Sequence, residues 1–244
     1  MVLPVLATPI VASTEAVGGV GPDQRAEVLA PADPLALAAP VVMRARPRPP
    51  QRPVTFAALD EVALSLPARD VRLVGFHEAS YANALELVPH GRLRSNHNTT
   101  KFVPPDDVVA GPPYVVLSSR GRGNPATSAV DVALDPGTPV SSVATGRIVL
   151  VQPYLLYGRY PDTRIEIAPA ARPDLRIVII HVGDPKVREG DEVRAGRSVL
   201  AGHATQFPFS SHIDRYIDAD AGPHIHIEVK YPPPPGVSPS TSAG

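Results

Sequence analysis

Two histidines stand two residues apart near the end of the sequence, in the stretch AGPHIHIEVK (residues 221–230). Side chains alternate between the two faces of a β-strand, so His224, His226 and Glu228 would share one face. The isoleucines and valine between them would then face the core. An isolated pair of this kind is often a polar surface, but two imidazoles on one face can also bind a metal ion or transfer a proton.

Two further polar residues interrupt apolar strands elsewhere in the chain. His181 ends the run LRIVIIHV, and Asp131 lies in SAVDVAL, where Val130 and Val132 point to the opposite face. A polar side chain in such surroundings normally has a partner. The candidate site residues are therefore Asp131, His181, His224 and His226.

The composition limits the kind of site that these residues can form. The chain has no cysteine, which excludes disulfides, thiolate catalysis and cysteine-based zinc sites. Any metal must be held by His, Asp or Glu. The formal net charge of −1 gives no bias toward polyanions, so no nucleic-acid partner is expected. Four arginines between residues 44 and 52 form the one basic cluster, which we interpret as part of a solvated linker.

The sequence gives little information about localisation. Its longest apolar run is far shorter than a membrane-spanning segment, so no membrane span is expected. The apolar start MVLPVLATPIVAS has no positively charged residue before Arg25 and is a poor secretory signal. Localisation is left open by these features.

Proline placement divides the chain into folded and unfolded parts. We predict a disordered Pro/Ala-rich arm over residues 1–53, a β-rich extension packed on the core over 54–114, a main domain over 115–231 and a disordered Pro/Ser tail over 232–244. Short β-rich runs separated by turn-formers predict a mostly β fold, a sandwich or barrel. The stretch FAALDEVALSL (56–66) fits either one short helix or two strands.

Over about residues 115–231, the chain resembles the lysostaphin/LytM-type zinc metalloendopeptidases. The resemblance lies in the order of three segments, SAVDVALDPGTPVSSVATGRIV, IVIIHVGDPKVREGDEVRAGRSVLAG and GPHIHIEVK. The resemblance implies a compact antiparallel β fold, a sandwich or barrel-like hybrid (duplicated hybrid motif), with an active-site groove. It also implies cleavage of peptide bonds in bacterial cell-wall peptidoglycan, with peptide stems or cross-bridges as the partners. An extracellular or cell-wall location would accompany that activity.

The same resemblance assigns roles to the four candidate residues. Asp131 and His226 match zinc ligands, and His181 and His224 match the two catalytic histidines. The chemistry implied is metal-assisted hydrolysis, in which zinc acidifies a bound water while the histidines accept its proton and stabilise the oxyanion.

One position departs from the family pattern. The first ligand, four residues before the aspartate, falls at Thr127, whose neutral hydroxyl is a poor zinc ligand. Either the site is degenerate and the domain binds cell-wall material or a protein partner without cutting, or another residue completes an active site. The scarcity of ligand exchanges favours the degenerate interpretation. The substitute ligands considered are His77, His203, His212, Asp214, Asp218 and Asp220.

A third class of function is a carrier or phosphotransfer module, since such domains use similar hairpins. A lipoyl or biotinyl carrier needs a lysine at an exposed hairpin tip, and Lys101, Lys186 and Lys230 lie in no such context. The HxH pair with an upstream aspartate fits metal chemistry better than phosphotransfer. This class is therefore the least favoured of the three.

Overall fold

The computed structural model describes residues 52–217 and 222–233. Nearly all of the predicted arm and tail lies outside these described residues, as do Asp218 and Asp220. Within the described ranges, no helix combines the length and the apolar character needed to cross a membrane.

Strands make up most of the regular structure in the described residues, and the single helical element there is a short 3-10 turn, Ile213–Tyr216. The mostly β class is therefore confirmed. In chain order the strands are β1 (Thr55–Leu59), β2 (Val62–Ser65), β3 (Leu73–His77), β4 (Val88–Pro89), β5 (Leu93–Asn96), β6 (Tyr114–Val116), β7 (Ala129–Ala133), β8 (Val140–Ser141), β9 (Gly146–Leu156), β10 (Tyr160–Pro169), β11 (Arg176–Pro185), β12 (Glu192–Val193), β13 (Val199–Ala204) and β14 (His224–Lys230).

Two sheets contain these strands. A small sheet has the order β2-β1-β4, and a large one runs β12-β9-β10-β11-β14-β7-β3-β6-β5, with β13 joining β11 to β8. Pairing is antiparallel except where β6 pairs with β3 and β5. The two ends of the large sheet are different strands that do not pair, so it does not close into a barrel.

The stretch FAALDEVALSL forms two strands and no helix. β1 pairs antiparallel with β2, with Leu59 opposite Val62 across a tight turn. Asp60 occupies the left-handed region in that turn, at φ 48°. Phe56 and Leu64 are completely buried, and burial of such side chains stabilises the hairpin against the rest of the core, by about 1.5–3 kcal/mol each.

Strands β7 and β14 lie side by side at the centre of the large sheet, in the register that places His226 opposite Asp131. Their isoleucines and valines on one face belong to the main hydrophobic core, as the alternation predicts. On the other face, Ala129 and Ala133 pack in two small separate clusters. Asp131 lies between these alanines and is 4% exposed, so its side chain is largely removed from solvent.

Candidate metal centre and active site

Three adjacent strands bring Asp131, His226 and His77 together. β7 carries Asp131, with His226 of β14 directly opposite on one side. On the other side β3 pairs with β7 so that Gly75 is opposite Asp131 and His77 is opposite Ala129. Residues two apart on a strand share a face, so His77 lies on the same face as Asp131 and diagonally next to it.

The three side chains converge on one point in the interior. His77 Nε2 lies 3.1 Å from Asp131 Oδ1, and His226 Nδ1 lies 2.8 Å from the same oxygen. One ligand atom from each residue falls within 4.8 Å of the others. All three residues are buried. This is a compact donor set of two imidazole nitrogens and one carboxylate oxygen.

The hydrogen bond of His77 fixes which of its nitrogens can bind a metal. Nδ1 lies 2.9 Å from the backbone oxygen of Glu78, and because a carbonyl can only accept, Nδ1 carries the proton. Nε2 of the neutral ring then has a free lone pair. It is buried without a hydrogen-bond partner, although it faces Asp131 Oδ1. The distance between this nitrogen and the carboxylate oxygen is one that two ligands of a single metal ion would have.

His226 is oriented by a carboxylate on its other side. Its Nε2 donates to Glu228 Oε1 at 3.0 Å, which leaves Nδ1 directed toward Asp131. A histidine whose second nitrogen donates to a carboxylate is the usual arrangement of a metal ligand. Burial lowers the pKa of His226, but the hydrogen bonds to Asp131 and Glu228 outweigh it and raise the pKa to about 9.

The pKa of Asp131 shows the same electrostatic coupling. Burial would raise it, but the nearby His77 and His224 and the hydrogen bond from His226 hold the pKa well below its usual value. Asp131 is therefore an ionised carboxylate. Zinc would displace the Nδ1 proton of His226, and the carboxylate with two neutral imidazoles would then form a donor set of charge −1, which suits Zn²⁺ with a fourth position left open.

His77 is the third member of the cluster, beside Asp131 and His226. From the sequence, His77 was one of several possible substitute ligands, and none of them was favoured. In the structure, His77 lies in the cluster. Thr127 lies in the turn before β7 begins at Ala129. Its hydroxyl donates to Glu86 Oε1 at 3.4 Å, so it is engaged outside the cluster.

The other described candidates for a third ligand lie elsewhere. His203 is on β13 and its Nδ1 is 3.0 Å from the oxygen of Ala204. Asp214 accepts the backbone N–H of Ser211 at the start of the 3-10 turn. His212 is nearer, with its ring centre 6.2 Å from that of His77, but its Nε2 is 3.1 Å from Ser118 Oγ.

His181 and His224 lie on the other side of the cluster, one on β11 and one on β14. Their ring centres are 5.2 Å apart, and that of His181 is 6.1 Å from that of His226. Burial lowers the pKa of His224 to about 4, so this ring is neutral at neutral pH. The four residues that the sequence singled out therefore face one cavity.

That cavity is a groove with an aromatic wall. Its floor is formed by Asp131 and the histidines. On the His181 side stand Tyr157, Phe207 and Phe209, with the two phenylalanine rings stacked at 5.2 Å. Arg120 and His212 also line the cavity, and the His212 ring centre is 6.2 Å from that of His77. The sequence interpretation did not identify this aromatic wall, because its residues come from two loops that only the fold brings together.

Sequence reasoning also missed two buried carboxylates next to the histidines. Asp162 on β10 is 2.8 Å from His181 Nδ1. Glu78 follows His77 directly and binds two loops. The available signal was their position, because each is an acidic residue next to an apolar run, whereas Asp131 lies within one.

Comparison with known proteins gives structural matches only. No protein-family profile matches the chain, and no curated protein matches it. A solution structure of lysostaphin is 22% identical with a TM-score of 0.32, over 45% of this chain and 38% of that one. The chain thus spans well under half the length of that lysostaphin.

Two crystal structures are also similar. A mutant catalytic domain of the prophage-encoded M23 protein EnpA from Enterococcus faecalis is 24% identical with a TM-score of 0.32, covering 51% of this chain and 85% of that one. A zinc-containing peptidase from Vibrio cholerae is 17% identical with a TM-score of 0.30, covering 70% and 43%. Lysostaphin, an M23 catalytic domain and a zinc-containing peptidase are therefore among the structural neighbours of this chain.

Proposed function

We propose that this protein is an active zinc-dependent peptidase that cleaves peptides of bacterial peptidoglycan, with His77, Asp131 and His226 as the metal ligands. The observation that carries the proposal is the position of His77 Nε2, which is buried without a hydrogen-bond partner 3.1 Å from Asp131 Oδ1. The degenerate interpretation depended on a site with two ligands, and His77 supplies a third.

The residues around the cluster have the properties that hydrolysis needs. Bound zinc would polarise the scissile carbonyl and acidify a water molecule. His181 is 12% exposed at the cavity, which suits a group that accepts a proton from water and returns it to the leaving amine. His224, buried and neutral, is suited to donating a hydrogen bond to the oxygen of the carbonyl under attack.

The walls of the groove suit a peptide substrate. Tyr157, Phe207 and Phe209 offer an apolar surface beside His181, and Arg120 offers a positive charge in the same cavity. A peptide lying in the groove would present its backbone to the ligand cluster on the floor. The choice of peptidoglycan peptides comes from the sequence resemblance to the lysostaphin/LytM-type enzymes.

The test combines zinc content with hydrolysis, using the full chain. We expect about one zinc per natural chain after loading and dialysis, and loss of that zinc in His77→Ala. His203→Ala is the matched control, because it removes a histidine of the same sheet that lies outside the cluster. Purified peptidoglycan should release peptide fragments with the natural protein and the control, and not with His77→Ala or His181→Ala.

Two results would contradict the proposal. Full zinc binding by His77→Ala would remove His77 from the ligand set. Full zinc binding by the natural protein without any release of fragments would favour the non-catalytic wall-binding alternative.

A further inference from the structure

Asp162 is a buried carboxylate in direct contact with the histidine that we assign to proton transfer. Its side chain is fully buried, and its Oδ2 lies 2.8 Å from His181 Nδ1. The same oxygen accepts the backbone N–H of His181 at 3.1 Å. Asp162 therefore holds both the ring and the main chain of His181.

Every other partner of Asp162 is also a hydrogen-bond donor. The hydroxyl of Tyr154 donates to Oδ2 at 2.5 Å. The backbone N–H of Thr163 and the hydroxyl of Thr205 reach Oδ1 at 2.9 Å and 3.2 Å. An ionised carboxylate is an acceptor only, so this set of neutral donors fits the charged form. Such a group is fixed in place before any substrate arrives.

The backbone at His181 is unusual and depends on this contact. His181 has φ 66°, in the left-handed region that residues other than glycine rarely adopt. The pairing of β10 with β11 shifts register here, because Thr163 is opposite Val182 while Ile165 is opposite Ile179. One extra residue on β11 is accommodated in this interval, a bulge of the kind that redirects a side chain. The bond from the His181 N–H to Asp162 stabilises that conformation.

We propose that Asp162 is a positioning residue that keeps the His181 proton on Nδ1 and leaves the Nε2 lone pair as the proton acceptor of the site. This inference deepens the proposed function and depends on it for its catalytic consequence. When water attacks, its oxygen forms a bond to the scissile carbonyl carbon, one of its O–H bonds breaks and an Nε2–H bond forms. The Asp162 carboxylate stabilises the resulting imidazolium, and the proton then passes from Nε2 to the amine nitrogen as the C–N bond breaks, which leaves a carboxylate and a free amine.

The tautomer of His181 can be measured without any assay of activity. Long-range ¹H–¹⁵N NMR of the natural, zinc-loaded full chain should show His181 protonated at Nδ1 and not at Nε2 at neutral pH. The signal is assigned by its loss in His181→Gln. A His181 ring protonated at Nε2 in the natural protein would overturn the proposal, and this result needs no variant of Asp162.

Asp162→Asn tests the consequence, with Asp184→Asn on the exposed end of β11 as the control. An asparagine can turn its NH₂ group toward Nδ1, which would move the proton to Nε2. We expect that switch, a fall in kcat of about 10²–10⁴-fold with little change in KM, and unchanged zinc content. An unchanged tautomer or an unchanged kcat would contradict the proposal. The expected tautomer in a natural protein that does not hydrolyse peptides would instead contradict the proposed function alone.

Discussion

The two sides of the site hold their histidines in different ways. His77 donates from Nδ1 to a neutral backbone carbonyl, that of Glu78. His181 donates from Nδ1 to the buried carboxylate of Asp162. A backbone carbonyl fixes the tautomer of a ring that has only to offer a lone pair to a metal. A carboxylate does more, since it also stabilises the positive charge that develops when the ring takes up a proton.

The acidic residue on each side has a correspondingly different task. The carboxylate of Glu78 makes no bond to His77 and instead binds Lys101, Ser119 and the backbone N–H groups of residues 120 and 122. Burial would raise its pKa, but these bonds outweigh it and lower the pKa to about 2. Glu78 thus holds the loops around the metal ligand, whereas Asp162 acts on the histidine itself.

The largest expected effects are on peptide release and zinc content, and they distinguish His77 from His181. His77→Ala and His181→Ala should each reduce peptide release by at least about 10²–10³-fold, because each removes a group that hydrolysis requires. Zinc content should fall only in His77→Ala. Measuring bound zinc and fragment release in the same preparations checks this, and loss of zinc from both variants would break the distinction between the two sides.

The next largest effect is expected on zinc affinity, when the Glu228 carboxylate that binds His226 Nε2 is removed. Glu228→Gln keeps the size of the side chain but removes the charge that orients His226 through Nε2. We expect zinc affinity to fall by about 10–100-fold, the range seen for the partners of metal ligands. Competition with a zinc chelator measures the affinity.

The control for that measurement is Glu61→Gln, which changes an exposed glutamate in the β1–β2 turn. An equal loss of affinity in both variants would show that Glu228 has no specific part in holding the ligand.

Neutralising Glu78 should lower the stability of the fold more than it lowers the rate of peptide hydrolysis. Glu78→Gln weakens the bonds to Lys101 and the 119–122 loop, so we expect the free energy of unfolding to fall by about 1–3 kcal/mol. Peptide release should fall much less than in Asp162→Asn. Urea denaturation gives the stability, with Glu192→Gln on the exposed edge of β12 as the control. A fall in kcat as large as that of Asp162→Asn would mean that the two carboxylates act alike.

The smallest expected effect is at Thr127, the position where the lysostaphin/LytM-type family has its first metal ligand. Thr127→His in the His77→Ala background should restore neither zinc nor hydrolysis, because Thr127 is buried in a turn with its hydroxyl toward Glu86. The family resemblance alone predicts that Thr127→His in the natural protein gains metal, because it restores a histidine at the first ligand position. Zinc content of the double variant decides between the two, and recovery would show that the turn can deliver a ligand to the cluster.

The sequence was most informative where local patterns are strong. Alternation in SAVDVAL and PHIHIEVK predicted which residues of β7 and β14 face the core, and the main core cluster contains them. The stretch FAALDEVALSL was ambiguous because its apolar spacing fits both a helix and a hairpin. Pairing with β4 and burial of Phe56 settle it as a hairpin, and these are contacts that no local pattern contains.

His77 and Asp162 show why part of the site could not be predicted. His77 is 54 residues from Asp131 in sequence, and only the pairing of β3 with β7 makes them neighbours. Asp162 reads as one polar residue of a strand, with nothing to indicate that β10 presents it to His181. Both depend on register between strands, which is set by the whole sheet and by bulges.

The sequence by itself determined the mostly β class, the absence of a cysteine-based site, and the order and spacing of Asp131, His181, His224 and His226. It also exposed the gap at Thr127. The tertiary structure brought His77 to the side chains of Asp131 and His226. A metal ion requires donor atoms around one point, and neighbouring strands can supply such an atom from any place in the chain, so ligand identity follows from strand pairing and not from spacing along the sequence.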